Sequence, residues 1–290
     1  MPNSLITHID PLTDTSSDED GATLRTISIV TTQQLSQKLG IAPKQIEIEA
    51  LRHNIVPTRY LRNQKSMNCS DQIRLLNAKI SVVGLGGLGG LVVEALARIG
   101  VGHLQLIDGD RFEDHNLNRQ LFSTQQSIGQ SKADAAALRV KEINTAIDVQ
   151  VTNRFLNDQN GVELIQASHV VIDCLDNITS RFDLESAAKI SRIPLVSAAV
   201  AGLTGHVTTV FPQDKGLTQI YGARPGARHA KGAEATLGCL PQSVFVIAAL
   251  ESAEAVKILL GNTKDVLRNK LCVVDLTNNI FEVLVLSEEA

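Results

Sequence analysis

Residues 79–90, from Lys79 to Gly90, read Lys-Ile-Ser-Val-Val-Gly-Leu-Gly-Gly-Leu-Gly-Gly. The segment from Lys79 to Gly84 is a largely apolar run that reads as a buried strand entering glycines. Apolar residues then recur at helical spacing from Leu88 to Ile99, and Gly100 closes that helix. Gly84, Gly86, Gly87 and Gly89 let the backbone turn sharply and keep side chains out of the way of an approaching group. The start of the helix offers free N–H groups and the positive end of its dipole, which together suit a phosphate.

The next strand, from His103, ends at Asp108, where a carboxylate in this context accepts ribose hydroxyls. Strand, glycine turn, helix and terminal acid together predict a bound nucleotide. They do not say which one, since NAD and FAD sites carry the same pattern.

Further along, strand and helix alternate. Ser131 caps a helix running to Asn144, and strands follow at Asp148–Thr152 and His169–Cys174. A helix over Asn177–Ser191 leads to a strand over Pro194–Ala199. This alternation predicts an α/β, Rossmann-like, mostly parallel sheet with helices on both faces. After residue 203 the pattern changes. His206–Phe211 reads as an antiparallel strand, Gln242–Leu260 as an apolar helix, and Lys270–Leu276 and Ile280–Leu286 as a terminal hairpin turning at Asn278-Asn279. The sheet is thus extended by antiparallel strands on its C-terminal side. Between Pro212 and Leu240 lies a long stretch rich in Gly, Ala and Arg, a length that points to function or disorder. Its basic residues Arg224, Arg228, His229 and Lys231 suit either a solvated loop or a lid over phosphates.

Three domains are expected: a disordered acidic tail over 1–24, a small helical appendage over 25–58, and the main domain over 59–290. The tail carries Asp14, Asp18, Glu19 and Asp20 among Ser and Thr. In the appendage, Thr31 or Thr32 starts a helix that Gly40 ends, and a second helix follows Pro43.

The 290 residues are 43% hydrophobic but only 3% aromatic, so an aliphatic core and no base-stacking surface for nucleic acid are expected. With a net charge of −4, the chain lacks the basic footprint of a DNA or RNA binder. No apolar run is long enough for a membrane span, and residues 1–20 lack the pattern of a secretory signal, so a cytoplasmic location is expected. Cys69, Cys174, Cys239 and Cys272 stand far apart, form no C-x-x-C pair, and read as reduced thiols.

What narrows the nucleotide is the chain after Asp108. It runs Gly109-Asp110-Arg111-Phe112-Glu113-Asp114-His115-Asn116-Leu117-Asn118-Arg119-Gln120, and Lys132 follows on the first turn of the next helix. Asp173-Cys174-Leu175-Asp176-Asn177 ends the fourth strand. In an open α/β sheet these strand ends share one crevice. Two or three acids, an Arg and a Lys beside the glycine turn suit a triphosphate with Mg²⁺, the cations neutralising phosphate and a carboxylate holding the metal.

From about Arg59 to Leu286 the chain resembles the ThiF/MoeB/HesA adenylyltransferase family, relatives of the ubiquitin-activating enzymes. The resemblance rests on Arg59-Tyr60-Leu61-Arg62, the Gly84–Gly89 turn, Asp108-Gly109-Asp110, Asn116-Leu117-Asn118-Arg119-Gln120, Gly129-Gln130-Ser131-Lys132, Asp176-Asn177 and the later Ala253–Lys257 helix. It implies ATP as the nucleotide, bound at Gly84, Gly86, Gly87, Gly89, Asp108, Asp110, the 115–120 segment, Lys132, Asp176 and Asn177. It also implies Mg²⁺ at Asp176 and a homodimer in which Arg62 reaches the partner's ATP. The implied partner is a ubiquitin-like sulfur carrier with a Gly-Gly C-terminus, activated for molybdopterin- or thiamine-type cofactor synthesis. Arg62, Asn116, Arg119, Lys132 and Asp176 would carry the catalysis. The family also contains tRNA threonylcarbamoyladenosine dehydratases. A non-catalytic partner of an active relative and an NAD or FAD oxidoreductase are the remaining readings.

Two departures narrow the expectation. The family's paired C-x-x-C motifs are missing, so no structural zinc is expected. The usual loop cysteine falls near Glu234. Cys239 lies later, before Leu240-Pro241, and reads as a packed thiol rather than a displaced reactive one. Adenylation is therefore expected, and sulfur transfer is not.

Overall fold

The computed structural model describes residues 3–17, 23–226 and 232–286. An N-terminal unit comes first: α1 (Asn3–Ile9), β1 (Asp14–Ser17), β2 (Thr23–Ile27), α2 (Ile29–Leu39), α3 (Pro43–Arg52) and β3 (Ile55–Pro57). The main unit follows with α4 (Cys69–Asn77), β4 (Lys79–Val83), α5 (Gly87–Ile99), β5 (His103–Ile107), α6 (Lys132–Ile143), β6 (Asp148–Thr152), α7 (Gly161–Ile165), β7 (Val170–Asp173), α8 (Ile178–Ser191), β8 (Leu195–Ala201) and β9 (Thr204–Val210). Two short helices, α9 (Thr218–Tyr221) and α10 (Glu234–Leu237), precede α11 (Pro241–Leu260), β10 (Lys270–Asp275) and β11 (Ile280–Val285).

The main sheet has the order β11-β10-β9-β8-β7-β4-β5-β6. Its five strands from β8 to β6 are parallel, and β9, β10 and β11 add antiparallel ones. The chain leaves β4 toward β5 and later returns to β7 on β4's other side. Strand order reverses there, and a crevice opens at the carboxyl ends of β4 and β7.

Both faces of the inner parallel strands are covered, so β4, β5 and β7 are buried along most of their length. Ile80, Val82, Leu104 and Leu106 pack into one core with Val92 and Leu96 of α5, Val140 of α6 and Ile247 of α11. Their neighbours Val83, Ile107 and Val171 pack on the opposite face with Leu164 of α7 and Phe182 and Leu184 of α8. Burial of these apolar side chains supplies the main stabilisation, about 1.5–3 kcal/mol each.

The expected elements of the main domain appear within a residue or two. Ser131 accepts a hydrogen bond from Asp134 N and so caps α6. Gly100 ends α5 in the left-handed region, with φ of +89°. Asn279, at φ of +55°, turns the β10–β11 hairpin.

The N-terminal region differs from the expectation. Part of the tail expected to be disordered forms α1 and β1, because Ile9 is buried with Ile27, Leu35, Ile46 and Ile55. The remainder of the acidic run lies outside the described residues. The appendage is mixed rather than helical: β1, β2 and β3 form a separate sheet, with β2–β3 parallel. Ser28 caps α2, one turn before the expected Thr31 or Thr32. The unit is fastened to the main sheet by Lys44, whose Nζ hydrogen-bonds Gly102 O at 3.3 Å and pairs with Asp148. No helix among the described residues is long and apolar enough to cross a membrane.

Candidate active site

A cavity of about 890 Å³ occupies the crevice where strand order reverses. The glycine turn forms its floor. Gly84 has φ of +88°, and a side chain there would begin 2.6 Å from Cys174 O of the neighbouring strand end. A side chain on Gly89 would begin 1.9 Å from Gly84 O. These two glycines bring β4, β7 and α5 together at the switch point. Gly86 and Gly87 face the cavity itself, where a methyl group would meet Gln120 at 3.4 Å or Val244 at 3.1 Å. Gly89 is buried behind the turn and shapes it without lining the cavity.

Asp108 stands beside this floor. Its Oδ2 accepts a hydrogen bond from Leu85 N at 2.6 Å, and its Oδ1 accepts one from Asp110 N at 2.8 Å. Burial raises its pKa above the ordinary carboxylate value, against the backbone N–H bonds and Lys132, which act the other way. The two backbone bonds fix the carboxylate's orientation.

Lys132 is buried at the start of α6, with Nζ 2.9 Å from Asp110 Oδ2. Arg119 is half-buried. Its Nη1 donates to Asn118 Oδ1 at 2.7 Å and to His115 O at 3.2 Å. Asp176 is exposed on the wall, with Asn177 Nδ2 donating to its Oδ1 at 3.3 Å. Asn177 also caps α8 by accepting from Ser180 N.

The cavity wall thus gathers Gly84, Gly86, Gly87, Asp108, Asp110, Arg119, Gln120, Lys132, Asp176 and Asn177. Other expected site residues lie off the wall. Asn116 is buried, and its Oδ1 accepts from Glu113 N, so it shapes the turn that aims Arg119. His115 is exposed beside Glu113, 3.3 Å away. Leu117 is exposed. Asn118 donates to Cys239 O at 3.1 Å and ties this turn to the segment preceding α11. Arg62 is exposed in the turn after β3 and is not part of this chain's own cavity.

The segment between β9 and α11 supplies the opposite wall through Arg224, Glu234, Ala235 and Cys239. Arg224 pairs with Asp183 of α8. Arg228, His229 and Lys231 lie outside the described residues. The Cys239 thiol is pushed up by burial, the reverse of the activation that a helix start gives a thiol. Cys174 also lines the cavity, and its Sγ donates to the fully buried Glu251 at 3.5 Å. Burial raises that thiol strongly too. All four cysteines are free.

Sequence reading overlooked the loop after β6. Arg154, Phe155, Leu156, Asn157, Asp158 and Gln159 complete the rim. The available signal was position: this loop follows the strand adjacent to the one bearing Asp108.

The donor set fits an ATP with Mg²⁺. Two cations and a side-chain-free floor suit phosphates, and exposed Asp176 offers a hard oxygen ligand for a metal that takes most of its other ligands from water and phosphate. Among the described residues no cluster of three or more His, Cys, Asp or Glu could hold a metal alone.

The chain is 32% identical over 216 residues to the adenylyltransferase and sulfurtransferase MOCS3 of Drosophila persimilis, covering 72% of this chain and 46% of that protein. It is 32% identical over 215 residues to the SAMP-activating enzyme E1 of Haloferax volcanii, covering 73% and 78%. The chain therefore spans about half the length of its MOCS3 relatives. Among solved structures, PaaA superposes with a TM-score of 0.65 at 20% identity, covering 96% of this chain and all of that one. Escherichia coli MccB with ATP gives 0.64 at 20% identity, covering 80% and 71%, and Escherichia coli TcdA gives 0.60 at 23%, covering 71% and 96%. These structural likenesses speak to the fold. The ThiF family pattern matches residues 60–290, so the chain belongs to the ThiF family.

Proposed function

We propose that this chain is an ATP-dependent adenylyltransferase that activates the C-terminal glycine of a ubiquitin-like carrier protein. The observation that carries the reading is the convergence of Asp108, Arg119, Lys132 and Asp176 on one glycine-floored cavity. The names of the relatives support it, one an adenylyltransferase and another an activating enzyme.

In this reading Asp108 accepts the ribose hydroxyls, and the α5 N-terminus with Gly86 and Gly87 receives phosphate oxygens. Lys132 exchanges Asp110 for phosphate, and Arg119 draws charge from the α- and β-phosphates. Asp176 would hold Mg²⁺, which would supply further charge neutralisation. A carboxylate oxygen of the carrier's last glycine attacks the α-phosphorus. The bond from that phosphorus to the bridging oxygen breaks, and pyrophosphate leaves with the electron pair. No proton transfer is needed, since the nucleophile is already an anion. The protein's work is positioning and electrostatics.

The proposal extends to a homodimer in which Arg62 serves the partner's site, to a cytoplasmic setting, and to a main domain starting near residue 59 with the N-terminal unit as an accessory. It includes a sulfur carrier of cofactor synthesis as the acceptor. The raised thiols of Cys174 and Cys239 support adenylation without a following thiol step. The test is exchange of labelled pyrophosphate into ATP with a panel of Gly-Gly-ended carriers. Carrier-dependent exchange is expected. Exchange driven by tRNA would favour the dehydratase-like alternative, and no exchange with any acceptor would favour a non-catalytic partner.

A further inference from the structure

Phe155 stands out in a chain with only 3% aromatic residues. It is 64% exposed, yet it lines the cavity. Its backbone follows β6, which lies beside β5 on the side away from β4. The glycine turn sits at the end of β4, and Asp108 follows β5. A nucleotide with phosphates on the turn and ribose on Asp108 therefore extends its base toward the end of β6, where Phe155 stands.

Gly109 supplies a second, independent observation. A side chain at this position would begin 2.7, 2.8 and 2.9 Å from Cδ2, Cε2 and Cγ of the Phe155 ring. Gly109 does not have a positive φ, so its backbone conformation is open to any residue. What excludes a side chain is the ring itself. One part of the ring rests on the Gly109 backbone while most of it stays open, an arrangement that holds an apolar plane in place without burying it.

We propose that Phe155 is the stacking platform for the purine base and that Gly109 is the notch that seats it. This rests on the reading of the cavity as an ATP site and adds the residue that recognises the base. An aromatic face offers a base its π-surface and excludes water from one side of it. The bare triphosphate gains nothing from this contact, so base and phosphate recognition are separable.

The experiment measures binding of ATP–Mg²⁺ and of inorganic tripolyphosphate–Mg²⁺ by calorimetry, with thermal melting as a check on folding. Phe155→Ala is expected to weaken ATP binding roughly tenfold and to leave tripolyphosphate binding unchanged. Phe155→Trp should retain ATP binding. Gly109→Ala should displace the ring and weaken ATP binding selectively as well. Equal ATP affinity in Phe155→Ala and wild type would overturn the platform while leaving the ATP reading intact. Equal losses for ATP and tripolyphosphate would also overturn it. A wild-type protein that binds no ATP would instead remove the underlying reading, and the platform with it.

Discussion

Lys132 and Arg119 stand at the glycine-floored cavity in different ways. Lys132 is buried and paired with Asp110, so its charge is held in place without a ligand. Arg119 is held by the oxygens of its own turn, His115 O and Asn118 Oδ1. Each is expected to stabilise charge that grows as pyrophosphate leaves. Lys132→Ala and Arg119→Ala should each lower pyrophosphate exchange about 100-fold, read as kcat/KM for ATP. Asp176→Asn should raise the Mg²⁺ concentration needed for half-maximal exchange. At this scale the sequence pointed to Asp108, Arg119, Lys132 and Asp176 through their joint occurrence near strand ends, and all four line one cavity. It did not separate Asn116 from Arg119. The Asn116 side chain caps its own turn, and a polar residue gives no sign of whether it faces backbone or ligand. Phe155 was hidden for the opposite reason: a single Phe beside Leu156 reads as core.

At the scale of elements, the glycine turn divides into two functions that substitution can separate. Gly89→Ala would drive a methyl group into Gly84 O, so it should destabilise the fold by about 3 kcal/mol or more, seen as a lower melting temperature. Gly86→Ala meets only the Gln120 side chain at 3.4 Å, so the protein should fold normally but bind ATP more weakly by calorimetry. The main-domain elements were legible because short apolar runs bounded by Gly or Asp alternate with longer segments of helical spacing. The N-terminal sheet was not. β1 is the polar Asp14-Thr15-Ser16-Ser17, and β3 is three residues ending in Pro57, too short to show a period. Their strand character comes from pairing with β2, a tertiary effect that local pattern does not report.

At the scale of the whole molecule, the N-terminal unit is joined to the main unit through a buried ionisable contact. Glu47 lies within 3.3 Å of Arg59. Burial raises its carboxyl to about 7, against the opposing effects of Arg59 and the Tyr60 hydroxyl. A carboxyl with a raised folded-state pKa favours folding fully below its unfolded value near 4.5, and that contribution is lost as pH rises through about 7. The loss is on the order of 3 kcal/mol. Denaturant midpoints should therefore fall between pH 4.5 and pH 7, and Glu47→Gln should flatten that fall. Arg62 belongs to the same scale. If it serves a partner's site, mixing inactive Arg62→Ala and Lys132→Ala proteins should restore part of the exchange activity, whereas a site complete within one chain would show no recovery.

The central claim is that the crevice between β4 and β7 joins AMP to a carrier's C-terminal carboxylate. Intact mass spectrometry of a Gly-Gly-ended carrier after incubation with the protein and ATP–Mg²⁺ tests it most directly. The expected product is a carrier heavier by one adenylyl group, with Lys132→Ala forming it about 100-fold more slowly. A carrier of unchanged mass beside ATP that is bound but intact, or that is cleaved only to ADP, would contradict it.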